Sequence, residues 1–135
     1  MRLLIATHGT LAEGLKSALS IIIGNVDKVD VINGYVTEEN LNDQLDNYFK
    51  DCQEDLVVCT DLFGGSVNQM VIQKLKERDF LLVTGIQLPL LLEMVMALNN
   101  NELNREKVAL LVDNSRKQTM IVNDLLFTNV EDDFD

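Results

Sequence analysis

The chain has 135 residues with 22 acidic and 11 basic side chains, a net charge of −11: one domain's length, able to bury a core without a staple, with a charge that opposes nucleic acid and anionic membrane surfaces. Cys52 and Cys59 fit neither a C-x-x-C pair nor a zinc ligand set and read as reduced thiols. The apolar run at 3–6 is too short for a signal peptide or a membrane span, which makes the cytoplasm the expected address.

Short runs of Val, Ile and Leu alternate with segments of helical period, the pattern of a parallel sheet with helices on both faces. The first strand is predicted over 3–7. Thr10-Leu11-Ala12-Glu13 then has the spacing of a capping box, and Leu11, Leu15, Ala18, Leu19, Ile22 and Ile23 share one apolar face until Gly24 ends the helix. A second strand over 28–32 leads to a helix opened by Thr37, with Leu41, Leu45 and Phe49 on one stripe. The third strand, 56–61, and the fourth, 80–85, are nearly continuous apolar runs, as strands covered on both faces should be. Between them Ser66-Val67-Asn68-Gln69 repeats the capping-box spacing ahead of a buried face of Val67, Met70, Val71 and Leu75. Pro89 suits the first turn of the next helix, whose Leu91, Leu92, Met94, Val95 and Met96 read as core rather than as a partner groove. A last helix is predicted over 102–115. The apolar segment 119–127 is predicted as a short strand followed by an apolar tail, and Glu131, Asp132, Asp133, Phe134 and Asp135 as a solvated, frayed end. No repeat or linker divides the chain, so residues 1–135 are expected to form a single domain with a tail from about residue 124.

In an open parallel sheet, reacting groups gather beyond the carboxyl ends of the strands where the strand order reverses. With an order of 2-1-3-4 that point lies between the first and third strands, and the residues just past them are Thr7-His8-Gly9-Thr10 and Thr60-Asp61-Leu62-Phe63-Gly64-Gly65-Ser66. His8, the only histidine, is of the side-chain type that offers an abundant neutral nitrogen near neutral pH. Asp61 across the crevice would fix its tautomer and stabilise a cation-like ring. Gly64, Gly65 and Ser66 precede the third helix, whose free amides and positive end suit phosphoryl oxygens. The first helix starts beside His8 at Thr10 and offers a second positive end. Taken alone, a lone histidine is as well explained as a surface or capping residue, and G-G-S as a turn before a helix. Gly85-Ile86-Gln87-Leu88-Pro89 reads either as an ordinary strand-to-helix turn or as a wall of the same crevice. No Walker A sequence, G-x-G-x-x-G fingerprint or set of metal-ligating residues is present in the sequence, and no cofactor or metal is expected.

These residues resemble the mannose-family enzyme IIA domains of the bacterial phosphoenolpyruvate-dependent sugar phosphotransferase system. The likeness runs from L-L-I-A-T-H-G-T-L-A-E-G through V-V-C-T-D-L-F-G-G-S to G-I-Q-L-P-L-L-L-E. It implies an α/β doubly wound sheet of four parallel strands in the order 2-1-3-4. It also implies a homodimer in which a C-terminal antiparallel strand, matched by Met120 to Val122, is exchanged. By the same likeness His8 is phosphorylated at Nε2 by the histidine-containing phosphocarrier protein and passes the group to a histidine of enzyme IIB. Asp61 would orient the ring through Nδ1, while Gly64, Gly65, Ser66 and Thr10 would bind the phosphoryl group. Any membrane association would be indirect, through the transporter subunits. The chain continues through 123–135 into acid rather than into a linker, which predicts a IIA domain separate from IIB. The phosphotransfer subunit of dihydroxyacetone kinase has a similar domain and stays open as an alternative.

Three other readings fit less well. Histidine phosphatases also place His-Gly after the first strand, but precede it with Arg and use a second histidine; here Thr7 takes the Arg position. Receiver domains need an acidic pair after the first strand and a distant Lys. A non-enzymatic interaction module predicts that loss of His8 leaves function intact.

Overall fold

Every residue of the first strand but its ends is buried, and its side chains feed two cores. The computed structural model, which describes residues 1–127, has the order β1 (Arg2–His8), α1 (Leu11–Ile22), β2 (Val29–Gly34), α2 (Leu41–Asp51), β3 (Leu56–Thr60), α3 (Ser66–Lys74), β4 (Leu81–Thr84), α4 (Leu88–Asn99) and α5 (Arg105–Ser115). The strands pair in parallel in the order β2-β1-β3-β4, as expected. Successive side chains of a strand point to opposite faces. Leu3, Ile5, Val57 and Cys59 thus pack under α1, α4 and α5 with Leu19, Leu91, Met94, Leu98 and Leu111. Leu4, Ala6, Leu56 and Val58 pack under α2 and α3 with Leu41, Leu45, Val67 and Val71. No helix among the described residues is long and apolar enough to cross a membrane.

Several local expectations are corrected. The Thr10 capping box does not form: Thr10 has φ −95 and ψ 17 rather than the extended backbone that aims a capping side chain, and makes no cap hydrogen bond. The buried Thr7 hydroxyl, which needs a partner, accepts from the Ala12 amide at 2.8 Å instead, and Asn33 Oδ1 accepts from the Glu13 amide at 3.3 Å. For α2 the cap is Asn40, whose Oδ1 accepts from the amides of Asn42 (2.8 Å) and Asp43 (3.4 Å); Thr37 only closes a turn onto the Glu39 amide. Gly65 takes the N-cap position of α3, leaving Ser66 as its first residue. The last helix starts at Arg105 rather than 102, because Asn104 caps it through the Lys107 amide at 2.8 Å.

β4 is half-buried along its length rather than doubly covered, since it is an edge. Leu11, Ile22, Leu75 and Met96, expected on buried faces, are exposed: only one stripe of each helix reaches the sheet, and Ala12, Leu19, Asn68 and Met94 occupy it. The predicted strand within 119–127 is not one in this single chain. Residues 122–127 form a helical turn with exposed apolar side chains, because an isolated strand would leave its backbone groups unpaired. The acidic end at 131–135 and the last part of the predicted tail lie outside the described residues.

Candidate functional site

Three segments meet at the carboxyl-terminal rim of the sheet: the end of β1, the end of β2 with Tyr35 just past it, and the 61–66 loop after β3. The β1–β2 register sets His8 beside Gly34, and the Gly9 amide donates to the Gly34 carbonyl at 2.9 Å. β1 is therefore paired to its last residue before leaving through Gly9 at φ +58, a left-handed turn that glycine makes without a Cβ clash. His8 projects from a rigid strand end.

Asp61 follows β3 directly. Its Oδ2 accepts from the His8 backbone amide at 3.0 Å and lies 2.9 Å from His8 Nδ1. The His8 side chain is 42% exposed and that of Asp61 14%. Burial works against the Asp61 charge, but the amide and ring of His8 prevail and hold its carboxyl below the usual carboxylate range. An ionised carboxylate only accepts, so Nδ1 carries the ring proton and Nε2 of the neutral ring keeps a lone pair.

Ser66 Oγ lies 3.3 Å from that Nε2. As the first residue of α3 it is not spent on capping, and the amides of Ser66, Val67 and Asn68 precede the first helical hydrogen bond, which the Gln69 amide donates to the Gly65 carbonyl at 2.9 Å. These amides and the positive helix end form a seat for an anion beside the nucleophilic nitrogen. Gly65 keeps the approach close: a Cβ there would stand 3.2 Å from the Leu62 carbonyl oxygen and 3.3 Å from His8 Cε1, and would press on the ring. The first turn of α3 is tied to the sheet by the Thr60 hydroxyl, which donates to Asn68 Oδ1 at 2.8 Å and sits 2.9 Å from Thr84 Oγ1. Leu62 and Phe63, 60% and 77% exposed, form an apolar lip on the loop.

The fold thus brings His8, Asp61, Gly65 and Ser66 together, with Gly64 in the same loop accepting from Gln69 Nε2 at 2.7 Å. Thr10 stands two residues past His8 with an exposed side chain not committed to capping. The Gly85–Pro89 segment joins β4 to α4: the Ile86 amide donates to the Thr60 carbonyl at 3.4 Å, and Gln87 Oε1 accepts from the Thr119 hydroxyl at 3.1 Å. Tyr35 is the residue that sequence reasoning missed. Its hydroxyl donates to Ser66 Oγ at 2.8 Å and its ring centroid is 5.7 Å from that of His8. The available signal was Asn33-Gly34-Tyr35 itself, since an order that sets β2 beside β1 brings the end of β2 to the same rim. Among the described residues no group of three or more His, Cys, Asp and Glu is placed to hold a metal ion. The arrangement suits attack by an exposed imidazole nitrogen on an electrophile whose oxygens are anionic.

A family model described as PTS system fructose IIA component matches residues 2–113. The PTS system mannose-specific EIIAB component of Escherichia coli is 27% identical over 124 residues, covering 85% of this chain; the chain spans only 37% of that protein's length. Among solved structures, a Klebsiella pneumoniae protein described as a candidate phosphoenolpyruvate-dependent sugar phosphotransferase system permease is 25% identical, with a TM-score of 0.84 over 93% of each chain. The PTS IIA protein associated with the fucose utilization operon of Streptococcus pneumoniae is 27% identical, with a TM-score of 0.74 over 93% of this chain and 95% of that one.

Proposed function

The chain belongs to the mannose/fructose family of phosphotransferase system IIA components, and on that premise we propose that it serves as a phosphohistidine relay in sugar uptake, with His8 as the carrier. The observation that carries this reading is the 2.9 Å pairing of His8 Nδ1 with Asp61 Oδ2, which leaves an exposed Nε2 lone pair beside Ser66 and the start of α3. The Nε2 lone pair forms an N–P bond to a phosphoryl group held by the histidine-containing phosphocarrier protein. The donor's own N–P bond breaks in line, and its electron pair returns to the donor ring. The same exchange, run onward, passes the group to a histidine of enzyme IIB. The protein's contribution is positioning and electrostatics. Asp61 offsets the charge that builds on the ring, the Gly64-Gly65 loop and Ser66 receive the phosphoryl oxygens, and Thr10, two residues past His8, offers a hydroxyl not used in capping.

The named relatives are sugar phosphotransferase components, which favours a transporter over a dihydroxyacetone kinase as the system served. A homodimer fits the same reading, because the apolar side chains of 120–122 and 125–127 are exposed and the half-covered β4 leaves a sheet edge open to pairing between copies. The test is incubation with enzyme I, the phosphocarrier and phosphoenolpyruvate, read by intact mass. The expected product is one acid-labile phosphoryl group per chain that His8→Ala abolishes. Steady release of inorganic phosphate with no adduct would overturn the relay.

A further inference from the structure

After β2 the backbone of Tyr35 adopts φ +66, the left-handed region that a bulky side chain enters only when its surroundings hold it there. Burial does not hold it, for Tyr35 is 58% exposed. What engages its side chain lies at the site: the Ser66 hydroxyl, which accepts from Oη at 2.8 Å, and the His8 ring, tilted 36° to its own. Ser66 Oγ has one proton. Since it accepts from Tyr35, that proton is free to point at His8 Nε2, 3.3 Å away. The three groups form one directed chain of donors, from Tyr35 to Ser66 to the lone pair on Nε2.

We infer that Tyr35 is a positioning residue for phosphoryl transfer at His8, acting through Ser66. The inference rests on the reading of His8 as the phosphoryl carrier. Before transfer the Ser66 O–H rests on the Nε2 lone pair. When that lone pair forms the N–P bond and the donor's N–P bond breaks, the Ser66 proton turns onto a phosphoryl oxygen. No proton leaves Tyr35 or Ser66. By keeping its own proton on Ser66 Oγ, Tyr35 fixes the hydroxyl rotor toward the reacting centre and strengthens Ser66 as a donor there. This role also accounts for a strained aromatic residue at an exposed turn.

The experiment compares wild type, Tyr35→Phe, Ser66→Ala and the double variant as acceptors from phosphorylated phosphocarrier protein. Removal of a hydrogen bond that acts through a neighbour predicts a fall of about three- to tenfold in kcat for Tyr35→Phe, with KM for the carrier unchanged. In the Ser66→Ala background the same change should add nothing, because its effect has no route left. In the unphosphorylated protein, the nitrogen-15 resonance of His8 Nε2 should move in Tyr35→Phe in the direction in which Ser66→Ala moves it. Wild-type transfer with an unaltered rate in Tyr35→Phe, independent losses that multiply in the double variant, or a change confined to KM would each overturn the inference while leaving the carrier reading intact. A wild-type protein that takes up no phosphoryl group would defeat the carrier reading first, and this inference with it.

Discussion

Asp61 joins the backbone and the ring of one residue through a single oxygen, Oδ2, so it sets both where β1 ends and which His8 nitrogen is protonated. Asp61→Ala is expected to slow phosphoryl transfer by about ten- to a hundredfold, the worth of a hydrogen bond to a charged group, with the fold intact by circular dichroism. Unaltered single-turnover transfer would remove Asp61 from the mechanism. His8 and Asp61 were readable as a pair because strand ends can be placed from apolar runs, and the doubly wound topology then fixes which ends face each other. Tyr35 was not, because its part depends on a left-handed backbone and on a hydroxyl partner 31 positions away. Neither leaves a local pattern. Thr7 was missed for a related reason: as the last buried residue of a strand it looked like sheet, while its hydroxyl serves the following helix.

The helices show where pattern reading succeeds and where it slips. Apolar periodicity placed α1 to α5, but the starts of α2 and α5 moved because several Ser, Thr and Asn side chains lie near each start and backbone geometry decides which one caps. α2 offers a clean test. Asn40 accepts from two amides, so Asn40→Ala should lower stability by about 1 kcal/mol, and Thr37→Ala by much less. Urea denaturation of the two variants checks the order, and equal losses would return the cap to Thr37. α3 differs in having a glycine in the capping position. Its first turn is secured instead from within the sheet, by Thr60 acting on Asn68, which leaves the amides at its start free for a ligand. The segment 119–127 could not be placed from sequence because its apolar pattern suits a strand only when an edge is present to receive it.

Across the molecule, two carboxylates report on acid stability from opposite ends of the sheet. Asp61 is held below the usual range by His8 against the cost of burial, and Asp30 by two hydrogen bonds from the Arg2 guanidinium, with Tyr48 adding a third. Each has a folded-state value below its unfolded one, near 4. The unfolded chain therefore binds more protons as pH falls, and the stability these groups contribute is whole above about pH 5 and is lost below about pH 4. The expected outcome is a urea midpoint that falls steeply on acidification, and less steeply in Asp30→Asn. An identical acid limb in that variant would show that Asp30 has no share in it. Cys59, whose thiol burial pushes up to about 12, takes no part in this range. The shared grip of Asp61 on the His8 amide and ring has one more consequence. With Nδ1 held by Asp61 and Nε2 facing Ser66, the ring is kept in one orientation, so its reactive nitrogen looks out through a single doorway at the start of α3. Under the relay proposed above, giver and receiver must queue for that doorway and cannot stand in it together, which makes the protein a turnstile with strictly alternating visitors.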